Sequence, residues 1–344
     1  MSSLAFTDFG ALCNQRFPTD AMVEAMRLAL PAVMQRRSST QKVLNQQLAR
    51  HLGCEPEDVQ VLHGASQIYP VLKRLVGSRP VLRSQPLSDE YERMFPRARA
   101  YGDSTAVDLA AFDAAIPGDG VVLIESPNSI TGTVVPTAWI DACVRRHPHT
   151  LFVVDESAID YCDETPMVER LQADPVSNVI VIKSLGNSFG VPGLRLGFVY
   201  CANPEVIRVL DDELPVRNLS GPAELYLELL LTNRFEFGRS LIETKADRAA
   251  FAAMLANVPV VARVHSGSGN FLLAALRGPD PTMAASIRNE LLAQHNIDVK
   301  DVSNRLQPAA PRLRVAVRLP EDNARFCLAL DSVTIAVPSA GPIK

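Results

Sequence analysis

Polar residues that could bind an anion or carry charge stand where apolar segments of the chain end. Gly64, Ala65 and Ser66 lie between a predicted strand and a predicted helix, where free backbone N–H groups and the helix dipole favour a phosphate. An ordinary strand-to-helix turn, with Ser66 as the N-cap, is the alternative interpretation. Asp155 ends a strongly apolar segment, a position at which a carboxylate can serve a ligand or cap the following helix.

Three arginines near the carboxyl end could bind a carboxylate. Arg312, Arg314 and Arg318 share one face of a predicted strand, because side chains alternate between the two faces. A guanidinium can bind a carboxylate through two parallel hydrogen bonds. Alternation alone does not choose among the three.

The elements that must position these residues are short strands alternating with helices. Residues 121–125 and 151–155 are continuously apolar up to their last residue, which is typical of parallel strands covered by helices on both faces. Ligands of such sheets gather at the carboxyl ends of the strands. The predicted strands are 59–62, 80–83, 121–125, 151–155, 179–182 and 196–201. Helical spacing of apolar residues predicts helices over 21–35, 40–52, 66–76, 108–115 and 136–146.

The last third of the chain has the pattern of a smaller α+β unit. A long helical region is predicted over 223–256, directly after Gly221-Pro222. Strands are predicted near 260–264, 270–276 and 313–318, with a helix over 282–294 between the second and the third.

Composition and charge exclude several classes of protein. The 344 residues are 47% hydrophobic and 21% charged, which is enough for a substantial core. A net charge of -4, with no basic run, argues against nucleic acid and membrane as partners. No apolar stretch approaches the roughly 18–20 residues that cross a bilayer. Six cysteines without a CxxC pair, and no signal-peptide pattern, predict free thiols, no metal site and a cytoplasmic protein.

Seven segments in order resemble the class I and II pyridoxal-phosphate aminotransferases. Residues 183–197 (KSLGNSFGVPGLRLG) are similar to the motif that carries the cofactor lysine. The other six are 63–66 (HGAS), 126–132 (SPNSITG), 154–157 (VDES), 269–271 (GNF), 297–301 (IDVKD) and 312–315 (RLRV). The branch that the chain resembles most contains the histidinol-phosphate aminotransferases and threonine-phosphate decarboxylases.

This resemblance implies an α/β protein of aminotransferase fold type I. A large domain would hold a mostly parallel, seven-stranded sheet between helices, and a small α+β domain would follow. We predict an N-terminal segment (1–30) packing with the small domain, a large cofactor-binding domain (31–230) and a small C-terminal domain (231–344). The resemblance also implies a homodimer.

The resemblance assigns roles to the polar residues. Asp155 would pair with the pyridine nitrogen of the cofactor and make the ring an electron sink. Arg314 would bind the carboxylate of the substrate. The remaining cofactor-binding residues would be Gly64, Ala65, Ser66, Asn128, Ser129, Ser157, Ser184 and Arg195.

Asn187 stands where the family has its Schiff-base lysine. Transamination needs that amine as the partner of the cofactor aldehyde and as the base that moves a proton. An amide does neither, because its nitrogen lone pair is delocalised. Lys183 lies nearest in sequence, four residues earlier, and is not expected to replace the missing amine. We therefore expect pyridoxal phosphate or pyridoxamine phosphate to bind non-covalently, with Asn187 at the catalytic position.

Other positions near the cofactor ring depart from the family pattern as well. Ser129 replaces the asparagine that approaches the phenolic oxygen O3′, and Ala158 replaces a common aromatic residue. Ser88 stands where a ring-stacking aromatic is expected, with Tyr91 as an alternative stacking residue. The departures concern contacts at C4′ and O3′, whereas the phosphate-binding residues are kept.

Three interpretations of function stay open at this point. The first is an enzyme that transaminates or decarboxylates an amino acid or amino-phosphate/phosphonate through an external aldimine, with Asn187 engineered or tolerated. The second is a lysine-less relative that binds pyridoxal phosphate, pyridoxamine phosphate or another phosphorylated ligand non-covalently, with altered chemistry or none. The third is a non-catalytic subunit of a competent homologue.

Overall fold

The structure is a computed structural model that describes residues 6–84, 86–101, 108–265 and 267–333. The ends of the predicted domain ranges, 1–5 and 334–344, lie outside the described residues. In chain order the strands are β1 (Thr7–Asp8), β2 (Val59–Leu62), β3 (Val81–Ser84), β4 (Arg99–Tyr101), β5 (Val121–Glu125), β6 (Leu151–Asp155), β7 (Val179–Ser184), β8 (Gly197–Tyr200), β9 (Val261–His265), β10 (Phe271–Leu276), β11 (Ile297–Asp298), β12 (Lys300–Asp301) and β13 (Arg312–Ala316).

The helices alternate with these strands over most of the chain. They are α1 (Asp20–Gln35), α2 (Gln41–Leu52), α3 (Tyr69–Val76), α4 (Asp89–Met94), α5 (Leu109–Ala115), α6 (Thr137–Arg146), α7 (Met167–Leu171), α8 (Pro204–Glu213), α9 (Gly221–Thr232), α10 (Arg234–Ala256), α11 (Thr282–His295) and α12 (Pro320–Ser332). None of the helices in the described ranges has the length and apolar character that a membrane crossing requires.

A seven-stranded sheet forms the centre of the larger part, in the order β2-β8-β7-β6-β5-β3-β4. β8 runs antiparallel to both of its neighbours, and the other neighbouring pairs are parallel. A four-stranded antiparallel sheet, β12-β13-β10-β9, forms the smaller part. The predicted α/β fold, with a mostly parallel large sheet and a small α+β unit, is confirmed.

Apolar cores on both faces of the large sheet explain the unbroken apolar strands. In β5, Val122 and Ile124 belong to one core, whereas Val121 and Leu123 belong to the core on the opposite face. Because both faces are buried, the alternation of polar and apolar residues disappears. The carboxyl ends of β5, β6 and β7 then meet at one edge of the sheet.

The long helical region predicted over 223–256 is two helices, α9 and α10, which meet at Asn233. The Asn233 side chain donates to the carbonyl of Leu229 over 2.7 Å, and the Thr232 hydroxyl donates to the same carbonyl over 2.9 Å. Such side-chain bonds compete with the helical ladder and favour a helix end. The prediction of one continuous helix was therefore wrong.

The start of the described chain contacts both parts of the molecule. β1 pairs in parallel with β11, beside the small sheet. α1 packs on α9, where Val33 lies against Gly221. The division of the chain into segments 1–30, 31–230 and 231–344 stays a prediction.

Candidate active site

A cavity of about 390 Å³ lies at the carboxyl ends of β5, β6 and β7. Nine residues predicted from the sequence line it: Ala65, Ser66, Ser129, Asp155, Ser157, Ser184, Asn187, Arg195 and Arg314. Gly64 and Asn128, also predicted, are not among the residues that line the cavity. The lining residues that sequence reasoning missed are Leu12, Tyr69, Asp89, Glu90, Glu125, Ile130 and Lys300.

One end of the cavity is suited to a phosphate group. The Arg195 guanidinium donates from Nη2 to the Ser66 hydroxyl over 2.9 Å, and both side chains are exposed to solvent. A Cβ on Gly64 would lie 2.7 Å from Arg195 Nη2, so glycine permits this close approach. Ser184 adds a hydroxyl at the end of β7. A guanidinium and two hydroxyls are donors that match a phosphate dianion.

Asp155 lies buried beside this end and accepts three hydrogen bonds. The Ser157 hydroxyl and the Ser157 N–H donate to Oδ1 over 2.5 and 3.0 Å, and the Tyr91 hydroxyl donates to Oδ2 over 2.9 Å. Burial raises the pKa of this carboxyl, and the bonds from Ser157 and Tyr91 oppose the rise. Tyr91 is buried and bonded to Asp155, so its stacking on a ligand would require the loop to shift, and that alternative stays a prediction.

Tyr69 is the aromatic side chain among the described lining residues. Its ring lies 5.3 Å from that of Tyr91, centroid to centroid. Tyr69 is the first residue of α3, one turn after the predicted phosphate-binding segment. That spacing is the sequence feature that could have identified Tyr69 as a lining residue.

Arg314 is buried and lines the same cavity. Its Nη1 donates to the Ser129 carbonyl over 2.8 Å and its Nη2 to the Gly10 carbonyl over 2.6 Å. The Nε group is buried and finds no acceptor among the described residues. Burial lowers the pKa of Arg314 to about 10. A buried donor without an acceptor fits a site that takes an anionic or carbonyl group from a ligand.

The other two arginines of the predicted strand face, Arg312 and Arg318, make their hydrogen bonds outside this cavity. Arg312 donates to the Pro308 carbonyl, and Arg318 pairs with Asp322 over 3.0 Å. Of the three, Arg314 is the one that lines the cavity.

Asn187 lines the cavity and brings an amide where the family has an amine. Its backbone carbonyl accepts from the Asn14 N–H over 2.8 Å, which fixes the segment. Lys183 does not reach this cavity: its Nζ pairs with Asp160 over 2.6 Å and lines a second cavity of about 340 Å³ together with His51 and Glu156.

Lys300 is the lysine that lines the site cavity among the described residues. Its Nζ donates to Asp89 over 3.3 Å. Burial and the neighbouring Arg314 lower the pKa of the Lys300 amine. Lys300 lies in the family-like segment 297–301, but the resemblance assigned this lysine no role.

Asn128 shapes the loop after β5 without lining the cavity. Its Oδ1 accepts from the N–H groups of Ile130 and Thr131 over 3.0 Å each, and its Nδ2 donates to the Pro86 carbonyl over 2.5 Å. These bonds orient Ser129 toward the cavity from a fixed turn. The predicted cofactor contact of Asn128 stays a prediction, since this residue is not among those that line the cavity.

The site residues fit a phosphorylated pyridine cofactor, with one exception. The donors at Ser66, Ser184 and Arg195 match its phosphate, and Asp155 matches a protonated ring nitrogen. Asn187 does not match covalent attachment, because an amide nitrogen is not a nucleophile near neutral pH. Among the described residues, no group of three or more His, Cys, Asp and Glu side chains is placed to hold a metal ion.

Comparison with known proteins places the chain in a family. The sequence model described as "Aminotransferase class I and II" matches residues 13–330, which is nearly the whole chain. The chain belongs to the class I and II aminotransferase family. One curated relative is the CMP-5'-(3-aminopropyl)phosphonate synthase of Streptomyces rubellomurinus. It is 30% identical to this chain over 327 residues, which cover 92% of this chain and 51% of the relative.

A second relative is a histidinol-phosphate aminotransferase from Sodalis glossinidius, 30% identical over 237 residues and covering 65% of each chain. The chain thus spans about half to two thirds of the length of these curated relatives.

Solved structures support the same fold over most of their length. The L-threonine-O-3-phosphate decarboxylase from Porphyromonas gingivalis has a TM-score of 0.81 at 19% identity, covering 94% of this chain and 98% of that one. The histidinol-phosphate aminotransferase from Sinorhizobium meliloti, in complex with pyridoxal-5'-phosphate, has a TM-score of 0.79 at 20% identity, with 94% and 88% covered. At these identities the likeness establishes aminotransferase fold type I.

Proposed function

We propose that this chain binds pyridoxal phosphate or pyridoxamine phosphate without a covalent bond and uses it on an amino-acid-like substrate. The observation that carries the proposal is the combination found in one cavity. The donors at Ser66, Ser184 and Arg195 and the carboxyl of Asp155 are together, whereas Asn187 stands in place of the amine.

The chain's own residues would hold the cofactor at its two ends. Arg195, Ser66 and Ser184 would bind the phosphate. Asp155 would accept a hydrogen bond from the protonated ring nitrogen. When bound, the pyridine ring withdraws electrons from the carbon joined to the substrate nitrogen. Ser157 and Tyr91 would keep the Asp155 carboxylate oriented, because their hydrogen bonds favour its ionised form.

Arg314 would bind the substrate carboxylate or a comparable anionic group. Its buried Nε lacks an acceptor, so a ligand oxygen there would remove the cost of an unpaired donor. An amino acid or an amino-phosphate/phosphonate supplies such an oxygen. The names of the relatives, which include an aminopropylphosphonate synthase and a histidinol-phosphate aminotransferase, support this substrate class.

Asn187 favours chemistry that differs from lysine-based transamination. No amine at this position can exchange with the substrate amine or shuttle a proton. A second candidate function is therefore non-covalent binding of pyridoxal phosphate or another phosphorylated ligand with no turnover, as a non-catalytic subunit. Turnover of an added amino donor would separate the two.

Equilibrium dialysis with pyridoxal phosphate, followed by borohydride reduction, tests the proposal. The wild-type protein is expected to bind the cofactor reversibly and to release it fully, because Asn187 cannot attach it. Asn187→Lys restores an amine in the cavity and is expected to retain a reduced adduct. Asn257→Lys adds a lysine at an exposed position outside the site and serves as the matched control.

Two results would contradict the proposal. One is failure of the wild-type protein to bind pyridoxal phosphate at all. The other is a reduced adduct on the wild-type chain, with Lys300 as the residue to inspect first because it lines the cavity.

A further inference from the structure

A second buried carboxyl lies next to Asp155. Glu125 is the last residue of β5 and is paired in register with Asp155, the last residue of β6. Both line the cavity, with only 7% and 8% of their surfaces exposed. The family motifs that the sequence resembles assign no role to an acid at position 125.

The residues around Glu125 are those at which the chain departs from its family. The Ser88 N–H donates to Glu125 Oε2 over 3.1 Å, and the Ser129 side chain is a second hydrogen-bonding group beside the carboxyl. Ser88 replaces the expected stacking aromatic, and Ser129 replaces the asparagine that approaches O3′. The side chain of one departing residue, Ser129, and the backbone of the other, Ser88, therefore meet at one buried acid.

Charge decides which of the two carboxyls carries a proton. Two neighbouring carboxylates in a buried site do not ionise together readily. Asp155 accepts three hydrogen bonds that favour its ionised form, whereas Glu125 has two such neighbours. Burial and the negative charge of Asp155 raise the pKa of Glu125 to about 8. The proton therefore belongs to Glu125.

The other charged groups facing Glu125 do not reverse this result. Glu90, on α4, raises the pKa of Glu125 further. Lys300 on β12 and Arg314 on β13 are positively charged and interact with Glu125. Lys300 also donates a hydrogen bond to Asp89, and Arg314 donates hydrogen bonds to two backbone carbonyls. Asp89 in turn bonds to Lys300 and Arg305.

We propose that Glu125 is a ligand-binding residue that enters the cavity as a neutral carboxylic acid and donates a hydrogen bond to an oxygen of the bound molecule. The inference rests on the proposed function, and for pyridoxal phosphate the oxygen would be O3′. Ser129 occupies the position that serves O3′ in the family, and the acid beside it supplies the stronger donor. An ionised Glu125 would instead repel an anionic ligand.

The pH dependence of pyridoxal phosphate binding tests the inference. Because only the protonated form of Glu125 donates, the wild-type affinity should fall by about tenfold for each pH unit above the Glu125 pKa. Glu125→Gln stays neutral, so its affinity should lack this fall. Glu205→Gln removes an exposed acid on α8, outside the cavity, and should follow the wild-type profile. The ligand's own titrations are common to all three proteins and cancel in the comparison.

Infrared titration of the ligand-free proteins gives a readout that does not depend on the cofactor. A protonated-carboxyl band that disappears near pH 8 is expected in the wild-type protein. Glu156, also buried, has its pKa raised by burial to about 8 and contributes a similar band. The difference between the wild-type and Glu125→Gln spectra isolates Glu125.

The outcomes separate this inference from the proposed function. If all three proteins bind pyridoxal phosphate with one shared pH profile, or the infrared difference shows no band, the role of Glu125 is refuted while the proposed function stands. If none binds pyridoxal phosphate at any pH, the proposed function fails and the inference fails with it. A flattened profile in Glu125→Gln alone, together with the infrared band, supports both.

Discussion

Arg195 has a backbone conformation that residues other than glycine rarely adopt. Its φ angle is +57°, in the left-handed region, at the end of the 3-10 turn Pro192–Leu194. Such a residue costs of order 1–3 kcal/mol and persists where the surroundings require it. In this conformation the guanidinium donates to the Ser66 hydroxyl and lies close to the Gly64 backbone. Strain at this residue is consistent with a binding role.

Replacing Arg195 by alanine is expected to weaken pyridoxal phosphate binding by roughly 10- to 100-fold. A hydrogen bond to a charged group contributes about 1.5–3 kcal/mol, which corresponds to that range. Titration calorimetry measures the affinity. Arg208→Ala, on the exposed face of α8, removes the same charge outside the site and should leave the Kd unchanged. Equal Kd values for the two variants would rule out a phosphate-binding role for Arg195.

Sequence reasoning found residues whose role depends on local spacing and missed those whose role depends on a neighbour. Ser184, Arg195 and Arg314 lie within motifs that can be read along the chain. Glu125 ends an apolar run like many strand-terminal residues, and only its pairing with Asp155 makes it unusual. That pairing joins residues 125 and 155 through the sheet, so no local pattern carries it.

At the scale of elements, burial on both faces made the central strands predictable. The predicted ranges 59–62, 121–125 and 151–155 coincide with β2, β5 and β6. The two-residue strands β1, β11 and β12 were not predicted, because they are too short to show a period and exist only through pairing with distant segments. The helix α12 was also missed, although it begins with a proline at its first turn.

The turn after Asn187 depends on one glycine. Gly190 has a φ of +69°, and a Cβ there would collide with the carbonyl oxygen of Phe17 in the N-terminal segment. Gly190→Ala is expected to lower the free energy of unfolding by about 2 kcal/mol or more. Gly193→Ala, at an exposed glycine with open space around it, is the matched control and should change stability by less than about 0.5 kcal/mol.

Urea denaturation of the two glycine variants measures this difference. If Gly190→Ala proves as stable as Gly193→Ala, the packing of the N-terminal segment against the turn would be refuted. The outcome matters for the site because the Asn14 N–H bonds to the Asn187 carbonyl from the same segment.

At the scale of the whole molecule, α1 leaves large apolar side chains in solvent. Leu28 and Met34 are 66% and 74% exposed, and Val23 is 52% exposed. Exposed apolar residues grouped on one helix are typical of an interface between chains. The homodimer implied by the family resemblance therefore stays our prediction, with α1 as a contributing surface.

Introducing a charge on this helix tests the assembly. Light scattering is expected to give the mass of a dimer for the wild-type chain and to shift toward the monomer for Leu28→Glu, because burying an unpaired carboxylate is costly. Phe235→Glu, at an exposed apolar residue of α10, controls for the added charge. A wild-type protein that is monomeric at all concentrations would contradict the prediction.

A crystal structure of the wild-type protein grown with pyridoxal phosphate tests non-covalent binding most directly. We expect density for the phosphate beside Ser66, Ser184 and Arg195, the ring nitrogen at Asp155, and a clear gap between the ring and Asn187. Continuous density from the ring to Lys300 or to any other lysine, or a cofactor bound outside this cavity, would contradict the account.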